Sequence, residues 1–193
     1  MMSPALPFVR SGFSALIADP PWRFDDTGGR HATPYPTMTV ADLCDLPIGA
    51  LMAEDAVALI WVTSSHCDLQ AVSGSRVDGI SAGVRVLESW GFEFKTTGVW
   101  VKVSQKSLTS VAIGFGHYLR HAHEIFLIGR RGKFSIDPEH RVPSVFFAPK
   151  TTHSTKPDFL HRWIESFVSG PKLELFARER RENWTAWGNE VSA

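Results

Sequence analysis

The sequence is short of several things, and each shortage excludes a class of protein. It carries two cysteines, Cys44 and Cys67, in 193 residues, so no disulfide framework holds it together and a reducing cytoplasm is the expected setting. No apolar run approaches the ~20 residues that cross a bilayer, and the start does not join a basic stretch to a long apolar one as a signal peptide does. A soluble protein with no membrane partner is expected. Net charge is also missing: Lys+Arg and Asp+Glu balance at 20 each, so no global field draws the chain onto a polyanion. A nucleic-acid partner must then be met by a local basic patch. There is no internal repeat, heptad or low-complexity tract.

What is present is apolar substance, 44% of 193 residues, enough for a single domain over residues 1–193 with a sizeable core. Short apolar runs recur as "SALIA" (14–18), "AVALIWV" (56–62), "FEFKTTGVWV" (92–101), "EIFLIG" (124–129), "SVFFA" (144–148) and "KLELFA" (172–177). Their β-branched and aromatic content and near-continuous hydrophobicity predict strands covered on both faces, the parallel-sheet situation. Residues 39–51, 82–90 and 157–168 read as helices. In the last, Phe159, Leu160, Trp163, Ile164 and Phe167 form one apolar stripe between a Lys-Pro start and a Gly-Pro stop. The alternation implies an α/β fold: one Rossmann-like, doubly wound sheet with helices on both faces.

Two stretches break the pattern. "SGSRVDGISAG" (73–83) is rich in Gly and Ser and reads as a mobile surface insertion. Residues 102–124 mix Gly, polar and aromatic residues with little periodicity and read as a substrate loop, with Tyr118, Arg120, His121 and His123 helping to form a lid.

The most informative stretch is "IADPPWRF" (17–24). Asp19 falls at the C-terminal end of the first strand, where open α/β sheets place their ligand crevice. Pro20 and Pro21 lack N–H groups and fix φ, so the chain leaves the strand in a stiff turn whose carbonyls are free to accept hydrogen bonds. Trp22 adds a flat face beside a carboxylate and a carbonyl, a set suited to a planar heterocycle with an exocyclic amine. Adenine N6 is a poor nucleophile because its lone pair is delocalised into the ring. Hydrogen bonds from its two protons to the Asp19 carboxylate and the Pro20 carbonyl would favour the pyramidal nitrogen of attack on an activated methyl, with Trp22 stacking the extruded base. A packing role alone, with Asp19 capping the next turn, leaves the meeting of four compatible residues at the crevice unexplained.

These residues resemble the MT-A type of S-adenosylmethionine-dependent adenine-N6 methyltransferases. The likeness runs through "ADPPWRF" (18–24), "YPTM" (35–38), "LIWVTS" (59–64), "WGFEFKTTGVWVK" (90–102), "HAHEIFLIGRRGK" (121–133), "HSTKPD" (153–158), "KLELFAR" (172–178) and "WTAWGNE" (184–190), in that order. The resemblance implies that Asp19, Pro20, Pro21 and Trp22 are the catalytic tetrad. It implies S-adenosylmethionine as cofactor, held by Asp19, Pro20, Lys156, Glu174, Leu175, Phe176, Arg178, Asn189 and Glu190, with Glu174 and Asn189 on the ribose. Trp22, Tyr35, Lys102, Tyr118, His121 and Arg131 are the expected substrate contacts. Small bacterial and phage members of this kind point to DNA as substrate, with RNA as the alternative, and to a possible homodimer or a heterodimer with a related subunit. A non-catalytic nucleic-acid-binding subunit is the remaining alternative, against which an intact Asp19 and Trp22 speak. One departure is "LPFVRSGF" (6–13), which lacks the carboxylate the family often carries before the catalytic strand.

Three smaller groups complete the reading. "HAHE" (121–124) is a polar loop and not a metal site, since no further ligand stands near it in a recognised spacing. "RERRENW" (178–184) is a solvated face in which Arg180 or Arg181 is a candidate phosphate contact, and Arg130, Arg131 and Lys133 form a second basic cluster beside the mouth. Asp25 and Asp26 read as loop polar residues.

Overall fold

A computed structural model describes residues 5–23, 35–69, 75–114, 118–150 and 155–191. The first apolar run becomes β1 (Phe13–Ala18), with β2 (Met52–Val62) parallel to it on one side and β9 (Lys172–Leu175) parallel on the other. β10 (Thr185–Trp187) continues the parallel set beyond β9. β5 (Glu93–Ser104), β6 (Ser107–Val111), β7 (His123–Arg131) and β8 (Val145–Pro149) complete the sheet, whose order is β10-β9-β1-β2-β7-β5-β6 with β8 on β5. A separate ribbon pairs β3 (His66–Asp68) with β4 (Arg76–Asp78).

Alternate residues of the central strands enter two different cores. Leu16, Ala18, Ala58 and Ile60 pack toward α1 (Val40–Cys44) and α2 (Gly79–Ser89) through Leu43, Val86, Leu87 and Trp90. Ala15, Ile17, Val57 and Leu59 pack toward α3 (Phe159–Glu165) through Leu160, Trp163 and Ile164. Both faces are covered, which is why these strands read as unbroken apolar runs. The sheet is nevertheless mixed, not all parallel: β7 runs antiparallel to both β2 and β5. Hydrophobicity reports burial on two faces and carries no sign of direction.

One further expectation is corrected, and two other stretches take regular structure. The predicted helix over 39–51 is α1, closed by a capping box between Thr39 and Asp42, followed by a separate 3-10 turn at Ile48–Ala50. Pro47 disfavours the helical conformation of the residue before it and so breaks the run. Of the described residues in 73–83, Arg76–Asp78 form β4, with its first and last residues exposed, and Gly79 opens α2, where Gly79, Ala82 and Gly83 are buried. Their small size serves close approach: a Cβ on Gly79 would lie 1.9 Å from the Thr63 carbonyl oxygen. Gly79→Ala is therefore expected to lose about 1–3 kcal/mol of stability through overpacking, read from denaturant midpoints. Of the described residues in 102–124, the first three end β5 at Ser104, Ser107–Val111 turn back as β6, and His123 opens β7.

Candidate active site

Because β1, β2 and β9 are parallel, their C-terminal ends share one edge of the sheet, and the reversed β7 brings its first residues to that same edge. A cleft of about 350 Å³ opens there, lined by Asp19–Trp22, Tyr35, the end of β2, Lys102, Glu124, Lys156, Phe176–Arg178, Asn189 and Glu190.

Four charges of alternating sign run through it. Lys156 Nζ lies 2.6 Å from Asp19 Oδ2 and 3.3 Å from Glu124 Oε2, while Glu124 Oε1 lies 2.5 Å from Lys102 Nζ. Lys156 Nζ also stands 5.3 Å from the centre of the Trp61 ring, within cation–π reach. Burial works against the Lys156 ammonium, but the facing Asp19 and Glu124 carboxylates outweigh it and raise its pKa above the ordinary lysine value. Glu124 is the mirror case: burial opposes its charge, and Lys156 and Lys102 overcome that and hold its carboxyl below the usual range. Glu124 is a site residue that the reading of "HAHE" as a polar loop does not contain. The signal available was a lone carboxylate opening an apolar strand.

The Asp-Pro-Pro-Trp turn is stiffer and less open than its sequence suggests. The Pro20 carbonyl already accepts from Trp22 N–H at 2.8 Å and the Pro21 carbonyl from Met38 N–H at 2.8 Å, so each oxygen offers a ligand only its second lone pair. Trp22 is 5% exposed, and its indole N–H donates to the Trp61 carbonyl at 3.0 Å. It is a wall fixed to the end of β2, not a projecting plate.

On the far side the chain leaves β9 sharply. Phe176 takes φ 61°, an uncommon left-handed conformation for a bulky residue, and its ring meets Trp187 edge-on at 5.6 Å. Ala177 N–H donates to the Trp187 carbonyl at 2.9 Å. A Cβ on Gly188 would stand 2.2 Å from the Ala177 carbonyl oxygen, so only glycine lets Asn189 and Glu190 lie beside residues 176–178. Arg178 stacks over Tyr35 with 5.8 Å from guanidinium carbon to ring centre, and its Nε lies 3.7 Å from Glu190 Oε1.

The cleft thus gathers Asp19, Pro20, Pro21, Trp22, Tyr35, Lys102, His121, Lys156, Phe176, Arg178, Asn189 and Glu190 from the expected set. Four expected residues lie elsewhere. Leu175 is a fully buried core side chain. Glu174 points under the sheet toward α3, where its Oε2 is 3.2 Å from His161 Nε2 and 3.7 Å from Arg181 Nε. The strand alternation that sends Leu175 to one face sends Glu174 to the other, and neither faces the crevice. Arg131 ends β7 at the opposite edge of the sheet and donates to the Gly49 carbonyl, and Arg130, paired with Glu93, shares that edge. Tyr118 is fully exposed and does not line the cleft. Arg181, read as part of a solvated face, is ion-paired and 19% exposed. Asp25 and Asp26 lie outside the described residues.

Cys67 offers no nucleophile, since burial first and then Asp68 and Asp78 push its thiol up to about 12. Among the described residues no three His, Cys, Asp or Glu side chains are placed to share a metal ion. Among the described residues, too, no helix is long and apolar enough to cross a membrane.

The sequence profile of the MT-A70 family matches residues 13–190. The chain is 31% identical to the N6-methyladenosine RNA methyltransferase MTA1 of Pyricularia oryzae, over 93% of this chain and 47% of that protein. It is 29% identical to the human N(6)-adenosine-methyltransferase catalytic subunit METTL3, over 93% of this chain and 28% of the relative. The human N(6)-adenine-specific methyltransferase METTL4 is 26% identical over 98% of this chain and 39% of its own length. The chain spans about half or less of the length of these curated relatives.

Proposed function

Since the chain belongs to the MT-A70 family over residues 13–190, we propose that it transfers a methyl group from S-adenosylmethionine to N6 of adenine in a nucleic acid. DNA is the first reading of the substrate. RNA is the second, favoured by the relative named as an RNA methyltransferase. The observation that carries the activity is Asp19 just past the end of β1, lining the cleft with its Oδ2 held by Lys156 at 2.6 Å.

The donor set fits the cofactor. Lys156 and Arg178 are cations for a carboxylate, Glu190 and Asn189 are acceptors for a ribose diol, and Phe176 and Tyr35 are aromatic faces for a purine, all on one cleft. When bound, S-adenosylmethionine supplies the electrophilic methyl. Asp19 and the second lone pair of the Pro20 carbonyl orient the amine and favour its pyramidal form, and Lys156 fixes the carboxylate that does so. Trp22 and Trp61 bound the pocket and exclude water, while Glu124 keeps Lys156 and Lys102 apart and in place.

Transfer of labelled methyl to matched DNA and RNA oligonucleotides, followed by nucleoside analysis, tests the proposal. Label in N6-methyladenine supports it, and the labelled polymer names the substrate. Absence of label from both, with nucleic acid still bound, favours the non-catalytic subunit instead.

The basic residues beside the cleft, not those at the opposite edge, should set salt dependence. Lys106 and Lys150 are exposed at the end of β5 and β8 near Lys102, where Gln105 Nε2 donates to the Lys150 carbonyl. Lys106→Glu and Lys150→Glu are each expected to reduce the slope of log affinity against log salt by about 0.9 on duplex DNA, or about 0.7 on a single strand. Lys133→Glu should leave it unchanged. A slope altered only by the last change would move the binding surface to the other edge.

A further inference from the structure

We propose that Arg181 is a positioning residue for the cofactor end of the cleft: its guanidinium ties together the two chain segments that carry Lys156 and Arg178. The inference rests on the cofactor reading given above. Arg181 Nη1 lies 2.5 Å from Asp158 Oδ1 and Nη2 lies 2.5 Å from Glu179 Oε1, with Nε 3.7 Å from Glu174 Oε2. Asp158 follows Lys156 by two residues, with Pro157 between them, and proline's fixed φ makes that connection short and stiff. Glu179 is the neighbour of Arg178. One side chain therefore couples a cation that holds Asp19 to a cation that stacks on Tyr35.

The local geometry of Asp158 supports this reading. It occupies the N-cap of α3, where an aspartate usually accepts from the backbone N–H of the first turn, yet it makes no such bond and its φ −65°, ψ −7° are helical. Its carboxylate is committed to Arg181 instead. Beneath, the guanidinium rests on Glu174, which is backed by His161, 5% exposed and edge-on to Trp184 at 4.9 Å. With two carboxylates on its outer nitrogens, Arg181 is committed to partners within the chain.

The test compares Arg181→Ala, Asp158→Asn, the double variant and Arg181→Lys. Calorimetry with S-adenosylmethionine is run beside amide exchange over residues 155–160 of the cofactor-free protein. Each single change is expected to weaken cofactor binding about tenfold, and the double change no more than the worse single, because both cut the same link. Exchange over 155–160 should quicken in all of these, and Arg181→Lys should recover part of both effects by keeping one ion pair. Dissociation constants within twofold of the unsubstituted protein, or losses that simply add and follow the thermal midpoint, would overturn the positioning role. Unchanged exchange in Arg181→Ala would overturn the link itself. If the unsubstituted protein does not bind S-adenosylmethionine, the cofactor reading fails and the positioning role with it, while exchange still reports on the link.

Discussion

Replacing Asp19 with asparagine is expected to lower kcat for methyl transfer by at least about a hundredfold, the usual cost of losing one preorganised electrostatic contact to a reacting centre. The amide keeps the shape of the carboxylate, so the stiff turn held by the Pro20 and Pro21 carbonyls should survive. It loses the charge that draws Lys156 Nζ to 2.6 Å and presents an NH2 group where the target amine needs an acceptor. Cofactor binding by calorimetry should change far less than turnover. Near-normal turnover in this variant would remove Asp19 from the chemistry.

The second large effect is expected at Lys156. Lys156→Met removes the cation between Asp19 and Glu124 and leaves two carboxylates facing one another, Glu124 with Lys102 alone. Breaking a largely buried pair by deleting one partner costs about 3–5 kcal/mol, and the midpoint of denaturation should fall accordingly. The pH dependence has a definite sign. Lys156 has a raised pKa, so its stabilisation is complete below the unfolded value of about 10.4 and disappears only as pH rises through the higher folded one. Glu124 has a lowered pKa, so its contribution is complete above about 4.3 and is lost as pH falls through its depressed folded value. The unsubstituted protein should be flat between those limits with respect to this pair. In Lys156→Met the acid limb should move to higher pH, because burial then acts on Glu124 with less opposition. Denaturant midpoints across pH check this, and an acid limb that does not move would show that Lys156 is not what holds Glu124 ionised.

The sequence made some of this legible and concealed the rest for identifiable reasons. The central strands β1 and β2 follow from their apolar runs because burial on two faces removes the polar alternation of an exposed sheet, whereas β8 has the same spelling with Val145 and Phe147 exposed. The direction of β7 does not follow, since an antiparallel strand buried on both faces is spelt like a parallel one. The glycines at 79 and 83 mark contact, not freedom: Gly83 has Val62 Cγ1 2.4 Å from where its Cβ would be. At the site, Asp19 was placed by a motif at a strand end. Glu174 suits a ribose by type and position in the chain, but the face the strand presents at that residue turns its carboxylate toward His161 and Arg181. Glu124 was overlooked because its role arises from two lysines 22 and 32 residues away in the chain, a meeting that only the pairing of β5, β7 and the segment before α3 creates.

The reversed β7 also separates two design problems. Glu124 is held from both flanks, by β2 through the Ile125–Val62 pair beside it and by β5 through Trp100 opposite it. The turn between β5 and β6 lies outside these ladders. Its length and composition are therefore decoupled from the position of the charged row, and a turn of different length there would leave that row in register.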